Sequence, residues 1–479
     1  MVGLNIMIFG NKILFCEVID GMPMPLMRYG RMVSIIAQFS AILTVYFSSN
    51  LCVLPFFIRQ WYFIVIALFM VLLNMVEEFN KLMLLLFSIC GISIAVNDIP
   101  SFFRSEQRFM YFVVMLIAIG PVIKGQFARA FRFAYWRALI LCFVVASVLS
   151  FVAYLLSWGP AFHAHNLLCG ILTHSMSLGP VAGVSTVFLL WTVYSMMPAN
   201  KSVLFFLVGM IFICFATCAL SGSRSAFISC ALGGGFVTYT FPAFRKFKYF
   251  FILITILLFV SLVIYYTGWS DRIFESMLIK QQYSESRDSV FASREALWDV
   301  RIYEFKKNPL CGVGFGSVSL ENPNCFDDVS GVVEPGNAWL FVLSSIGIFG
   351  GLVIFIIYFV PIFKLFIPAM KEDNLARLIL SVLVFYMVHM FAEGYLLSAG
   401  NLSFALVWST IAVAWDYCGA GGVNKIHQQD QYFHRRDHNP HPRRHHDELR
   451  SDGNLAVGQK DNSQAELSPI NGAFRRSLC

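Results

Sequence analysis

The chain has 479 residues, of which 58% are hydrophobic and only 13% charged, with a formal net charge of +7. A soluble domain carries about 25% charged residues, so there is too little charge here to cover a water-exposed surface. This excludes a soluble enzyme, a disordered chain and a disulfide-stapled secreted domain, and leaves an integral membrane protein. The apolar runs are long and uninterrupted, which predicts membrane helices rather than the alternating strands of a barrel.

The N-terminal thirty residues hold a short apolar start, then Asp20, Pro23 and Pro25, with no small-residue cleavage site. No cleavable signal is expected. In chain order, apolar runs predict about twelve spans, near 33–50, 60–76, 82–97, 109–123, 138–157, 177–197, 203–220, 226–242, 249–267, 338–363, 376–392 and 402–417. Each approaches the ~20 residues that cross hydrocarbon. Pro55 and Arg59 interrupt the stretch before the second span. The expected fold is all-α, a polytopic transmembrane helical bundle with a large extracytoplasmic loop carrying short helices. Residues 1–417 form the membrane domain, the loop spans 268–337, and 418–479 form a separate tail.

Sidedness follows from basic turns. Lys124, Arg129, Arg132 and Arg137 share one turn without an acid; Arg245, Lys246 and Lys248 share another; Lys364 and Lys371 flank a third. These predict cytoplasmic turns and cytoplasmic termini. The 268–337 connection has seven Lys/Arg against eleven Asp/Glu, as expected for the outer side. Within it, Ala296, Leu297, Val300 and Phe305 recur at helical spacing, which predicts an amphipathic helix over Ser293–Lys307. Asn308-Pro309 ends it, and the glycine-rich turn Cys311–Gly316 follows. An oxidising outer compartment would allow a Cys311–Cys325 disulfide. The tail is polar, with His434, His438, His441, His445 and His446. It reads as a disordered cytosolic segment, with metal binding by the histidines as the alternative.

No P-loop, HExxH or zinc-spaced CxxC pair is present. The informative polar residues lie at the outer ends of the spans. Ser221-Gly222-Ser223-Arg224-Ser225 joins two apolar runs, and its arginine either snorkels to lipid phosphate or faces a cavity. Arg294 and Arg301 are seven apart and fall on one helix face with Trp298. With Arg224 they could surround an anion, because the planar guanidinium gives paired hydrogen bonds to phosphate. Alternatively they are solvated charges paired with neighbouring acids. His163, His165, Asn166 and His174 lie in the 157–176 connection. Only Cys169 stands near as a further ligand, so sugar or backbone hydrogen bonding is expected there and no metal.

Four segments resemble the bacterial O-antigen ligase and polysaccharide polymerase superfamily: Ser221–Ala226; Arg294–Trp298 followed by Asn308–Gly314; Gly336–Leu340 followed by Gly347–Gly350; and Gly170–His174 with Leu178-Gly179. Together they cover roughly residues 165–355. The resemblance implies an inverting, metal-independent, cofactor-free glycosyltransferase at the outer face of the bacterial inner membrane. Its donor would be a glycan on undecaprenyl diphosphate, within the lipid bilayer, with a flippase and a chain-length regulator as working partners and no nucleic acid. The polymerase branch passes the glycan to another lipid-linked repeat unit, the ligase branch to lipid A-core. In the ligase pattern a histidine often precedes the asparagine that starts the re-entering helix; here that place is Gly336, which leans toward a polymerase. The expected catalytic residues are Arg224, Arg294 and Glu334, the last as the carboxylate nearest the motif. Arg301, His165, His174, Asn337 and Glu393 are the expected substrate contacts. A secondary transporter is the rival class, since twelve spans also fit it, but no internal repeat is evident. A non-catalytic assembly protein is a third.

Overall fold

The computed structural model describes residues 25–52, 56–73, 78–163, 167–195, 201–241, 292–321, 333–371 and 373–419. Among these the chain is almost wholly helical. The helices are α1 (Pro25–Phe47), α2 (Phe56–Leu73), α3 (Lys81–Val96), α4 (Ser105–Ile119), α5 (Gln126–Leu155), α6 (Ser175–Ser195), α7 (Lys201–Leu220), α8 (Arg224–Thr240), α9 (Ala292–Lys307), α10 (Ala338–Met370), α11 (Asn374–His389) and α12 (Leu402–Gly419). A two-residue antiparallel pair, Phe162–His163 with Leu167–Leu168, is the one named sheet of the described residues.

Eleven of the expected spans coincide with one of these helices. The ninth, 249–267, lies outside the described residues, as does the tail beyond Gly419. Five helices, α5, α6, α7, α10 and α12, are long and apolar enough to cross a membrane. Parts of α1 and α2, with α3 and α11, are shorter apolar helices. The amphipathic helix expected at Ser293–Lys307 is α9.

Close packing in the middle of the bundle depends on small residues. Gly179 of α6 sits against Ser221, Ser223 and Ala226, while Gly183 of α6 receives the ring of Phe385 from α11 and Gly233 of α8 meets the Cβ of the same residue. Small residues let helix backbones approach where lipid supplies no hydrophobic drive for association. α6, α8 and α11 therefore form a tight core, and Arg224 opens α8 at its edge.

The two ends of the bundle are tied differently. One end holds the basic segment 124–137 and Lys371; the turn with Arg245, Lys246 and Lys248 lies outside the described residues. There Arg132 is buried and makes a bidentate pair with Asp416 at 2.9 and 2.8 Å, while its remaining nitrogen donates to the carbonyls of Gly120 and Ile123. Asp373 caps α11 and bonds the Tyr417 hydroxyl. Near the opposite end, Asn50 donates to the carbonyls of Pro160 and Leu172, and Arg108 donates to Gly316 O at 2.9 Å.

α10 is broken inside its length. Gly347 has φ 68° and ψ −172°, a conformation open essentially to glycine alone. The break frees carbonyls that a straight helix would have used. Val313 N donates to Ser344 O at 2.8 Å, Gly314 N to Ser345 O at 3.1 Å, and Ser93 Oγ to both Cys311 O and Ser345 O. In return Ile348 N donates to Pro309 O at 2.8 Å. The glycine-rich turn is thus a plug fitted to a broken helix, and it fixes where α9 ends. A Cβ on Gly347 would lie 2.1 Å from Leu310 O, a clash with backbone that no rotamer relieves. Gly347→Ala should lower the thermal midpoint sharply. Gly209→Ala, in α7 where a Cβ meets nothing within 4 Å, should hold it or raise it. Unfolding curves in one detergent compare the two, and equal midpoints would remove the break from the list of structural requirements.

Candidate active site

α9 reads as a positioning device once its face is followed. Arg294, Trp298 and Arg301 stand at i, i+4 and i+7, so all three project to one side. That side meets the segment 334–336. Arg294 Nη1 donates to Glu334 Oε1 at 2.6 Å, Trp298 Nε1 to Gly336 O at 3.2 Å, and Arg301 to Glu334 O at 2.8 Å and Pro335 O at 3.4 Å. Gly336 has φ +73°, and the Leu297 side chain occupies the place a Cβ would take. A chain carrying a side chain at 336 could not seat on α9 in this way.

Arg301 is wholly buried. Its remaining nitrogen pairs with Glu304 at 2.8 Å, both side chains fully out of solvent, and Glu304 Oε1 also accepts from Ser319 N at 2.8 Å. Its bonds given by the structure all go to the protein, so it grips the loop at its base. Arg294 is different. It bridges two carboxylates, Glu334 and, through Nη2 at 2.9 Å, Glu393 in the turn after α11. The side chain of Arg294 is 13% exposed and that of Glu393 15%, but that of Glu334 is 55%. One carboxylate is enclosed and the other faces out.

Arg224 is the first residue of α8, with Ser223 as its N-cap. It is half-buried, and among the described residues it has no ion pair or hydrogen bond through its side chain. The positive charge of Arg294 reaches it. Two guanidinium groups from elements seventy residues apart thus stand at the same end of the bundle, and Arg294 is bonded to two acids while Arg224 has none beside it among the described residues. Both belong to the end of the bundle away from the basic turns.

Asn337 caps α10, its Oδ1 accepting from Trp339 N and Leu340 N. Ala338 N donates to Met390 O, which joins the start of α10 to the end of α11. Behind Glu393 lies a buried layer in which the His389 ring rests against Phe385 and Tyr395 at 5.8 and 5.4 Å. His174 is half-buried, and its Nδ1 accepts from Met176 N at 3.2 Å. His165 lies outside the described residues, as do Asn166 and Cys325. The described residues hold no cluster of three or more metal-ligating side chains.

Arg224, Arg294 and Glu334 are thus drawn to one end, with Glu393 and Asn337 beside them. Glu304 is the residue that sequence reasoning passed over. Its signal was available, since it stands three places after Arg301 on the same helix and ion pairs form at that spacing. Glu393, an expected sugar contact, is bonded to Arg294.

This arrangement spans the C-terminal part of α7, α8, α9 and the broken part of α10. Residues 209–355 match the family model for O-antigen ligase, Wzy_C. The match takes in Arg224, Arg294, Arg301, Glu334, Gly336 and Asn337 within one segment. The chain resembles the O-antigen ligase and polymerase superfamily there, and the match points to a membrane glycosyltransferase of ligase or polymerase type, acting on lipid-linked glycans. Glu393, from the turn after α11, reaches the site from outside the O-antigen ligase segment. No curated protein matches the chain.

Proposed function

We propose that the protein is an inverting, metal-independent glycosyltransferase of the bacterial inner membrane, polymerising lipid-linked repeat units of a surface polysaccharide or exopolysaccharide. The carrying observation is that Arg224, which opens α8 and has no acid beside it among the described residues, stands at the same end of the bundle as Arg294. The donor is a glycan on undecaprenyl diphosphate. A lipid diphosphate leaves readily when its developing charge is held, so preorganised cations at that point are the principal catalytic need. Arg224 and Arg294 meet it from two elements, Arg301 holds the α9 face in register, and Glu334 accepts the proton of the attacking hydroxyl. His174 and Asn337 border the sugar. The site lies on the periplasmic side, with residues 1–417 as the membrane domain of about twelve spans, the 268–337 connection outside, and 418–479 and the N-terminus in the cytoplasm. The basic turns at the opposite end support that orientation.

Transfer to lipid A-core is the second reading. The absence of a side chain at Gly336, where the ligase pattern often has histidine, favours polymerisation. Purified protein in nanodiscs, given lipid-linked repeat units alone, should build glycans of increasing length. Transport of the lipid-linked unit across liposomes without any change in glycan length would overturn the reading. Lengthening that requires added lipid A-core would favour the ligase.

A further inference from the structure

We infer that Glu334 and the donor diphosphate compete for Arg294, so that donor binding itself releases the carboxylate that takes the acceptor's proton. This rests on the glycosyltransferase reading above and extends it to the order of events. Arg294 is bound on both sides, by Glu334 at 2.6 Å and by Glu393 at 2.9 Å. Arg294 spends one Nη1–H on Glu334 Oε1 and one Nη2–H on Glu393 Oε1, and two carboxylates more than offset its single charge, so it draws a further anion weakly while both are bound, and Glu334 Oε1 is committed to the guanidinium. Both residues are held back in this arrangement, yet the two acids are not equivalent.

The backbone at Glu334 is fixed, because Arg301 holds the carbonyls of Glu334 and Pro335 from a fully buried position. Its side chain is more than half exposed and can rotate about that fixed point. Glu393 is enclosed, and the next residue, Gly394, is packed against the Pro335 ring. Glu393 therefore stays with Arg294 and keeps it aimed, while Glu334 is the partner that can leave. A diphosphate carries more negative charge than one carboxylate and engages Arg224 as well, so it displaces Glu334 and not Glu393.

The chemistry then balances. The acceptor oxygen forms a bond to the anomeric carbon as the bond from that carbon to the diphosphate oxygen breaks. The electron pair leaves with the diphosphate, held by Arg224 and Arg294. The hydroxyl proton passes to the released Glu334 carboxylate and from there to water. When the lipid diphosphate departs, Glu334 returns to Arg294. The base is free only while a donor is seated.

Glu334→Gln removes the competing charge and the base together, so it should move binding and turnover in opposite directions. Binding of geranylgeranyl diphosphate to the full-length protein in nanodiscs should tighten by about tenfold, while glycan transfer falls at least about a hundredfold, the order seen when one stabilising or proton-transferring group is lost. In an Arg294→Ala background the same change should alter prenyl diphosphate affinity less than about twofold, because the shared partner is gone. Unchanged or weaker binding in Glu334→Gln sinks the exchange. So does full tightening in the Arg294→Ala background, which would mean general repulsion. Retained turnover removes Glu334 as base. Absence of prenyl diphosphate binding by the unmodified protein would instead count against the glycosyltransferase reading itself.

Discussion

Arg224→Ala should lower glycan transfer by about a hundredfold or more while leaving the folded protein as stable as before. The two halves of this expectation have separate grounds. Arg224 heads α8, where Ser223 stands at the N-cap position without a side-chain capping bond and the helix N-terminus adds its own positive potential. A second guanidinium, Arg294, acts on it electrostatically. A cation placed at a helix N-terminus, without an acid beside it among the described residues, gains no compensating contact there and is suited to an anion. Removing it should therefore not cost stability. Removing one preorganised donor to developing negative charge costs on the order of a hundredfold or more in rate. Arg224→Lys keeps the charge but loses the planar fork, and should still lose most of the activity. Turnover of lipid-linked repeat units, read beside the thermal midpoint of each variant, decides the matter. Near-normal turnover in the Lys variant would return Arg224 to the role of an arginine that snorkels to lipid phosphate.

The fold was legible because hydrophobic runs of span length have few alternatives in a chain with so little charge. Eleven expected spans fall on helices, and α9 was visible from the spacing of Leu297 and Val300 with an Asn-Pro stop. What spacing could not show was the break at Gly347. In sequence the α10 region is one apolar run, and the break exists only because loop backbone at Pro309–Gly314 bonds into it. The same holds for the site. Arg294 and Arg301 look equivalent on a helical wheel, yet one faces an acid pair at the rim and the other is sealed against a carbonyl ladder. That difference depends on the segment 334–336, whose approach is set by the start of α10 and by Gly394. Glu393 lies nearly a hundred residues from Arg294, and no local pattern joins them. Tertiary contact of this range is what a single sequence leaves unspecified.

Arg301 carries the other large expectation, and it concerns stability first. Arg301 and Glu304 form a fully buried ion pair 2.8 Å apart. Breaking such a pair from one side leaves an uncompensated buried charge and costs about 3–5 kcal/mol. Arg301→Met should therefore destabilise the folded protein severely, since it strands Glu304 and also releases the carbonyls of Glu334 and Pro335. Replacing both partners by apolar residues is a different case, because no charge is left buried. The double variant Arg301→Met with Glu304→Met should recover much of the lost midpoint, short of the bond that Glu304 accepts from Ser319 N. Catalysis should not recover with it. The carbonyls that set the position of Glu334 against Arg294 would still lack their anchor, and the donor clamp and the base would be held loosely. Thermal unfolding and glycan transfer on the wild type, the single variant and the double variant separate the two roles. A double variant restored in both stability and turnover would show Arg301 to be a packing element with no part in holding the site. A single variant with the wild-type midpoint would show that the pair contributes nothing to the fold.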